Sequence, residues 1–250
     1  MGRAITEKQY EIHYYEVDYR KKALITSLID YFNDVATFQS EDLGIGIDYM
    51  TKNNMAWILY KWDISVNRYP NYGEKVTVKT EPCGVRKFYA YRKFQITDSN
   101  GQVLANAKSI WLLINIKERK PLRINEHLIN TYGLNDDNNE CFKIDNIDKI
   151  SEAENTIEFK VRYSDIDTNG HVNNEKYAAW LIESVPLEVV LNYTLKNMKI
   201  TYRKEVKYGE YIKVLNSSKT DDNRIIFTHK VVEENGEEMT LGETLWEKAE

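Results

Sequence analysis

A chain of 250 residues, 42% of them hydrophobic, has room for one large domain or two of about 125 residues with ordinary cores. No apolar run approaches the roughly 18 residues of a membrane-spanning helix, and a net charge of -5 argues against generic nucleic-acid binding. Met1 to Glu11 is polar, unlike a signal peptide, and Cys83 and Cys141 form no CxxC pair, so disulfides and a structural zinc site are not expected and a reducing cytoplasm is the default compartment.

Taken in chain order, a short strand around Gln9–Tyr15 leads into a helix from Ser27 to Gln39. Leu28, Phe32, Val35 and Ala36 fall there at helical spacing, and Ser27 with Asp30 three residues on resembles a cap. Aromatic and β-branched residues predict strands at Trp57–Asn67, Lys75–Glu81, Lys87–Thr97 and Val103–Ile116. Gly133–Asn155, dense in Asn and Asp, reads as a linker. The pattern then repeats. A strand at Asn155–Tyr163 precedes a helix lined by Tyr177, Trp180, Leu181 and Ser184, which Asn173 or Asn174 can cap, and strands follow from Lys199 to Glu247.

The repeat is visible residue by residue. Gly73-Glu74-Lys75-Val76 reads like Gly209-Glu210-Tyr211-Ile212 at an offset of 136. The turns at Asn100-Gly101 and Asn235-Gly236, and the tryptophans Trp111 and Trp246, are separated by 135. Each copy predicts one helix against a long antiparallel sheet, an α+β layout, with domains at residues 1–132 and 155–250 and a linker at 133–154.

The most unusual segment runs from Arg162 to Tyr177. Asp167, Asn169 and His171 alternate, which on extended backbone points them to one side, just before a helix start whose free N–H groups favour negative charge. A base, an amide donor and such N–H groups are what acyl transfer requires. In the first copy Asp18 stands where Asp167 stands, but Arg20 and Lys22 replace Asn169 and His171. The polar trio therefore belongs to one copy only. Gly44-Ile-Gly46 lacks a dinucleotide fingerprint, and His13, His127 and His229 make no metal pattern, so no metal and no cofactor are expected.

The run Asp167-Thr-Asn169-Gly-His171-Val-Asn-Asn, then Tyr177 and Trp180-Leu-Ile-Glu-Ser184, resembles the catalytic segment of plant and bacterial acyl-ACP thioesterases. Trp57-Ile-Leu, Arg68-Tyr-Pro with Gly73, and Trp111 resemble the family's first half, and the likeness extends from about Tyr10 to Trp246. The resemblance implies a tandem double hot-dog fold, hydrolysis of fatty acyl thioesters on acyl carrier protein, and catalytic roles for Asp167, Asn169, His171 and Glu205, the last on a following strand. Plant members have a cysteine after that acidic residue, whereas Val206 stands here, and Gly170 replaces a frequent Gln. Water activated by His171 with Glu205 or Asp167 is the expected mechanism, a covalent acyl-Asp being the alternative.

The resemblance also places the acyl chain in the first half, beside Leu28, Phe32, Val35 and Ala36. Residues 1–125 carry 19 Lys+Arg against 14 Asp+Glu, and residues 126–250 carry 15 against 25. Nine basic residues lie between Arg86 and Arg123, and Arg86, Lys87, Lys117, Arg119 and Lys120 are the expected docking residues for an acidic carrier protein, with Lys204 and Lys207 flanking Glu205. An acyl-CoA thioesterase and a non-catalytic acyl-binding protein are the competing readings, and assembly of two copies is left open.

Overall fold

The computed structural model describes residues 2–150, 152–167 and 170–249. Two compact units emerge, one of Met1–Tyr60 with Asn67–Ile144 and one of Lys61–Val66 with Asp145–Glu250. The first contains β1 (Thr6–Glu11), α1 (Ile25–Asp42), α2 (Ile47–Lys52), the first half of β2 (Met55–Val66), β3 (Lys75–Arg86), β4 (Tyr89–Asp98), β5 (Val103–Asn115), β6 (Lys120–Pro121) and α3 (Glu126–Thr131). The second contains β7 (Asn155–Lys160), α4 (Asn174–Glu183), α5 (Leu187–Asn192), β8 (Tyr193–Tyr202), β9 (Tyr211–Asp221), β10 (Arg224–Glu233) and β11 (Glu238–Lys248). The end of β2 is counted with the second unit, where Lys61–Ser65 pair with Thr201–Asn197 of β8.

Both units thread their strands in the same order. The first sheet runs β1-β3-β4-β5-β2 and the second β7-β9-β10-β11-β8. A 3-10 turn precedes the long helix in each, at Tyr14–Glu16 and Tyr163–Asp165. In α1 the periodic residues Leu28, Ile29, Phe32 and Val35 are all fully buried, and the Phe32 ring lies 5.1 Å from that of Phe94 on β4. Each such side chain contributes on the order of 1.5–3 kcal/mol by leaving water, which fixes the helix against the sheet. In the second unit the Trp180 ring of α4 stacks 6.1 Å from Phe159 of β7.

Three local expectations change. Helix α1 begins at Ile25 with Leu24 as its cap, and Ser27 instead donates its hydroxyl to the Glu16 carbonyl at 3.0 Å, tying the helix to the 3-10 turn. Strand β3 continues past Glu81 to Arg86 through a bulge between Pro82 and Gly84. The first part of the expected linker belongs to the first unit. Asn139 brackets Val85, accepting its N–H at 2.7 Å and donating to its carbonyl at 3.1 Å, and Glu140 N–H donates to Cys83 O at 2.7 Å. The bulge leaves backbone groups of β3 without strand partners, and the Asn-rich segment satisfies them. Ile144 then packs with Cys83, Tyr91 and Ile110.

Each unit also buries polar side chains. Arg92, one of the nine basic residues of the first half, is buried and donates to Gln39 Oε1 at 2.6 Å and Thr80 Oγ1 at 2.8 Å, with its guanidinium 5.4 Å from the Tyr132 ring. In the second unit Ser184, the C-cap of α4, donates to Leu181 O at 2.7 Å and lies 3.0 Å from His229 Nδ1. His229 Nε2 meets Thr244 Oγ1 at 2.9 Å, which takes the Trp246 Nε1–H at 3.0 Å, and Asn216 donates to Ser184 Oγ at 3.1 Å. Because Ser184 gives its proton to Leu181, it accepts from His229 Nδ1–H, and His229 Nε2 accepts from Thr244. Burial lowers the pKa of His229 to about 3, consistent with this neutral tautomer.

A Cβ at Gly84 would stand 2.3 Å from the Glu140 carbonyl oxygen, so the bulge and the segment that covers it cannot both keep their places with a larger residue. Gly84→Ala should destabilise the protein by about 1–3 kcal/mol. A urea denaturation midpoint equal to that of the wild type would contradict this close approach.

Candidate active site

The site is built on a tight reversal rather than on extended backbone. Ile166 and Val172 form an antiparallel bridge. Asp167 N–H donates to His171 O at 2.8 Å, and Gly170 N–H returns to Asp167 O at 3.1 Å. Asp167 Oδ1 then accepts His171 N–H at 3.3 Å. Asp167 and His171 therefore face each other across a turn, which replaces the expected alternation along one strand. The sequence Asp-Thr-Asn-Gly carries the chemistry for this, since Asp bonds backbone further along and Gly170 takes a left-handed φ of 80°. Asn169 lies outside the described residues.

A second segment supplies the partner for the imidazole. Val172 N–H donates to Val206 O at 3.1 Å, which draws the loop after β8 alongside the turn. His171 Nε2 and Glu205 Oε2 stand 3.1 Å apart, both partly exposed. Glu205 sits in that loop, not on a strand as expected, because β8 ends at Tyr202. Val206, in the place of a plant cysteine, is fully buried and packs as core. Tyr177 borders the same loop, where burial raises its pKa, with the Val206 backbone acting in the opposite direction. Asn173 caps α4 as expected, accepting Glu175 N–H at 3.3 Å, and Asn173 N–H donates to Asp165 O at 2.8 Å. Asp165 is itself held by the Arg162 guanidinium at 2.9 Å.

One side chain of this region escaped sequence reasoning. Glu175 is buried, with Oε1 taking Lys176 Nζ at 2.9 Å and Oε2 without a hydrogen-bond partner among the described residues. An acid in a first helical turn ordinarily reads as a favourable match to the helix dipole, so only burial distinguishes it. Of the two lysines beside Glu205, Lys204 is ion-paired with Glu237, whereas Lys207 is exposed and has no ion pair among the described residues.

The first unit repeats this backbone with other side chains. Val17 bridges Ala23, Asp18 N–H donates to Lys22 O at 2.8 Å, and Lys21 N–H returns to Asp18 O at 2.9 Å. Asp18 Oδ1 accepts the N–H groups of Arg20 and Lys22 at 2.8 and 3.0 Å. Ala23 N–H donates to Pro70 O at 2.8 Å, as Val172 does to Val206. By the offset of 136 Tyr69 then occupies the place of Glu205, and by the offset of 149 between the two turns Lys22 occupies that of His171. The aspartate is common to both units because the turn requires it. At the positions of His171 and Glu205 the first unit has Lys22 and Tyr69 instead, its His13–Glu16 contact of 3.1 Å lying outside the turn.

The remaining predicted residues lie in the first unit. Leu28, Phe32 and Val35 are fully buried core residues, while Ala36 is only partly buried. Arg86 ends β3 and Lys87 opens the turn to β4, and Lys117 and Arg119 lie in the β5–β6 turn that leads into Lys120, all exposed. Hydrogen bonds from Leu113 N–H to Phe88 O and from Ile124 N–H to Lys87 O place both turns at one end of that sheet. Among the described residues no group of His, Cys, Asp or Glu is arranged to hold a metal ion, and no helix is long and apolar enough to cross a membrane.

The acyl-ACP thioesterase N-terminal domain model matches residues 3–132, and the C-terminal domain model matches residues 148–248. A chloroplastic acyl-acyl-carrier-protein hydrolase of Cuphea viscosissima is 29% identical, covering 96% of this chain and 61% of its own length. The chain thus spans about three fifths of the first curated relatives it matches. A chloroplastic oleoyl-acyl carrier protein thioesterase of Arabidopsis thaliana is 25% identical over 97% of this chain and 76% of its own. Among solved structures, a Lactobacillus plantarum protein assigned as an oleoyl thioesterase superposes with a TM-score of 0.93 at 26% identity, covering 99% of this chain and 98% of its own.

In the first unit Lys21 holds the position of Gly170 with a φ of 61°, so a side chain is compatible with that turn, and a Cβ at Gly170 meets open space. Gly170→Asn should keep the thermal midpoint close to that of the wild type, because Asn tolerates the left-handed region. Gly170→Val should lose about 1–2 kcal/mol to backbone strain. Equal midpoints for the two variants would show that the turn does not need this conformation.

Proposed function

Because the chain belongs to the acyl-ACP thioesterase family, we propose that it hydrolyses the thioester of fatty acyl groups carried on acyl carrier protein, releasing free fatty acid. The observation that carries this reading is the contact of 3.1 Å between His171 and Glu205 at the turn of the second unit, where the first unit has Lys22 and Tyr69. Glu205 keeps the imidazole proton on Nε2, so the Nδ1 lone pair is the base. Water attacks the thioester carbonyl carbon and gives its proton to His171 Nδ1. Asn169 and N–H groups near the start of α4 are assigned to the oxygen that gains charge. Collapse of the tetrahedral intermediate breaks the C–S bond, and the departing thiolate takes the proton back from His171. Asp167 shapes the turn, with Oδ1 accepting the His171 N–H. This favours direct hydrolysis over an acyl-Asp intermediate.

The acyl chain is assigned to the first unit, along α1 beside Leu28, Phe32, Val35 and Ala36, where a chain would have to part core side chains to enter. The acidic carrier is assigned to the exposed cationic turns of that unit, with Arg86, Lys87, Lys117, Arg119 and Lys120. Cys83 and Cys141 are both free thiols, and burial pushes the Cys83 thiol up to about 12. That suits a reducing compartment such as the cytoplasm.

His171→Ala and Glu205→Gln should each lower turnover by roughly two orders of magnitude, the usual scale for a general base and its partner, while the protein stays folded. Asp167→Asn should lose less, because an amide oxygen can still accept the His171 N–H. A series of acyl-ACP substrates of graded length, assayed beside matched acyl-CoA, reads both catalysis and carrier choice. Near-normal turnover by His171→Ala would sink the mechanism, and faster turnover of acyl-CoA would assign the carrier differently. Retained acyl binding without turnover by the wild type would mark a binding protein.

Reversing charge at Lys117, Arg119 and Lys120 together should raise the apparent KM for acyl-ACP and leave hydrolysis of a short uncharged thioester almost unchanged. Added salt should then weaken the wild type more than the variant. Loss on neither substrate would place docking elsewhere.

A further inference from the structure

The duplicated turn in the first unit frames a cleft of about 480 Å3, lined by Tyr14, Val17, Asp18, Tyr19, Lys21 and Tyr72. This lies within the usual size of small-molecule sites, roughly 300–1,000 Å3. Its walls are aromatic and face water. Tyr14 is 81% exposed, Tyr19 70% and Tyr72 54%, with Tyr14 and Tyr72 meeting edge to face at 6.3 Å. The catalytic turn of the second unit has tyrosines at two matching positions, Tyr163 at the offset of 149 and Tyr208 at 136. The aromatic rim is thus common to both turns, whereas the imidazole–carboxylate pair is not.

Cations take the place of that pair. Lys22 stands where His171 stands and gives its ammonium only to a neutral acceptor, Asn71 Oδ1, at 2.8 Å. Lys21 is exposed and has no ion pair among the described residues. The nearby acids are already engaged. Asp18 accepts two backbone N–H groups and the Arg20 guanidinium at 3.2 Å. Glu16 turns to the Tyr31 hydroxyl and the His13 N–H, each at 2.6 Å, and Glu74 is held by Arg68 at 2.6 Å. The Lys21 charge is left facing an aromatic cleft, with Lys22 beside it in the turn. Tyrosine faces stack on flat heterocycles, and lysine ammonium groups hold phosphate as point charges.

We propose that this cleft binds a purine nucleotide phosphate, free or as the handle of CoA, and holds it without turnover. The two sources share one chemistry, a ring for the tyrosines and a phosphate for Lys21. This reading does not depend on the thioesterase assignment, since it uses no residue of the His171 site.

Isothermal titration of the full chain with ADP, CoA, adenosine and pantetheine tests it. ADP and CoA should both bind, while adenosine, without phosphate, and pantetheine, without nucleotide, should bind at least about tenfold more weakly. Lys21→Asn preserves the left-handed backbone and removes the charge, and Tyr72→Ala removes a wall. Each should weaken ADP binding roughly fivefold or more, whereas His171→Ala should leave it unchanged. Similar losses of ADP and CoA affinity in both cleft variants would support the proposal. Absence of ADP binding, equal binding of pantetheine, undiminished binding in both cleft variants, or loss in His171→Ala would each overturn it.

Discussion

A carboxylate that closes a turn sets the frame for everything else at the site. Asp18 and Asp167 each accept a backbone N–H from four residues ahead, and each turn ends in a bridge that feeds directly into the approach to a long helix. With the turn closed, the residue in its fifth place has little freedom, because its N–H and its C=O are both spoken for. Its side chain must then project toward the loop that follows the next strand. That loop is bound to the turn by the hydrogen bond from Ala23 or Val172. Two side chains distant in sequence thus meet without either needing a strand or helix of its own.

Duplication separates what the backbone requires from what chemistry requires. Where both copies keep a residue, as with Asp18 and Asp167 or the turn acids Glu74 and Glu210, a backbone hydrogen bond explains it. Where the copies part, at Lys22 against His171 and Tyr69 against Glu205, the backbone is indifferent and the side chains are free to diverge. A comparison inside one chain needs no relative to make this distinction.

Much of the architecture was legible because strands and helices announce themselves by period. The repeat, the α4 cap at Asn173 and the succession of strand, helix and strands in two similar halves follow from turn residues and alternation. The trio around His171 was found for a partly wrong reason. Alternation suggested extended backbone, yet Gly170 directly after Asn169 is turn chemistry that signals reversal, and the reversal is what brings Asp167 to His171. Glu205 was expected on a strand because the family resemblance implied it, whereas β8 ends at Tyr202 and Val206 is buried by packing beside the turn rather than by pairing. The supposed linker misled because Asn and Asp are read as solvent-seeking. Asn139 instead serves the backbone of a β-bulge, a need that no local pattern at residue 139 reveals. The partnerless oxygen of Glu175 is equally silent in sequence, since burial is a property of the whole unit.

The proton order inside the second unit has a practical consequence for chemical profiling. Ser184 and His229, 3.0 Å apart, have the spacing of a nucleophile and its base. The hydroxyl proton is already given to Leu181, and the imidazole donates toward the serine rather than withdrawing from it. Both side chains are also shut away from solvent. Fluorophosphonates and related serine-directed electrophiles should therefore leave this residue unlabelled, despite its imidazole neighbour.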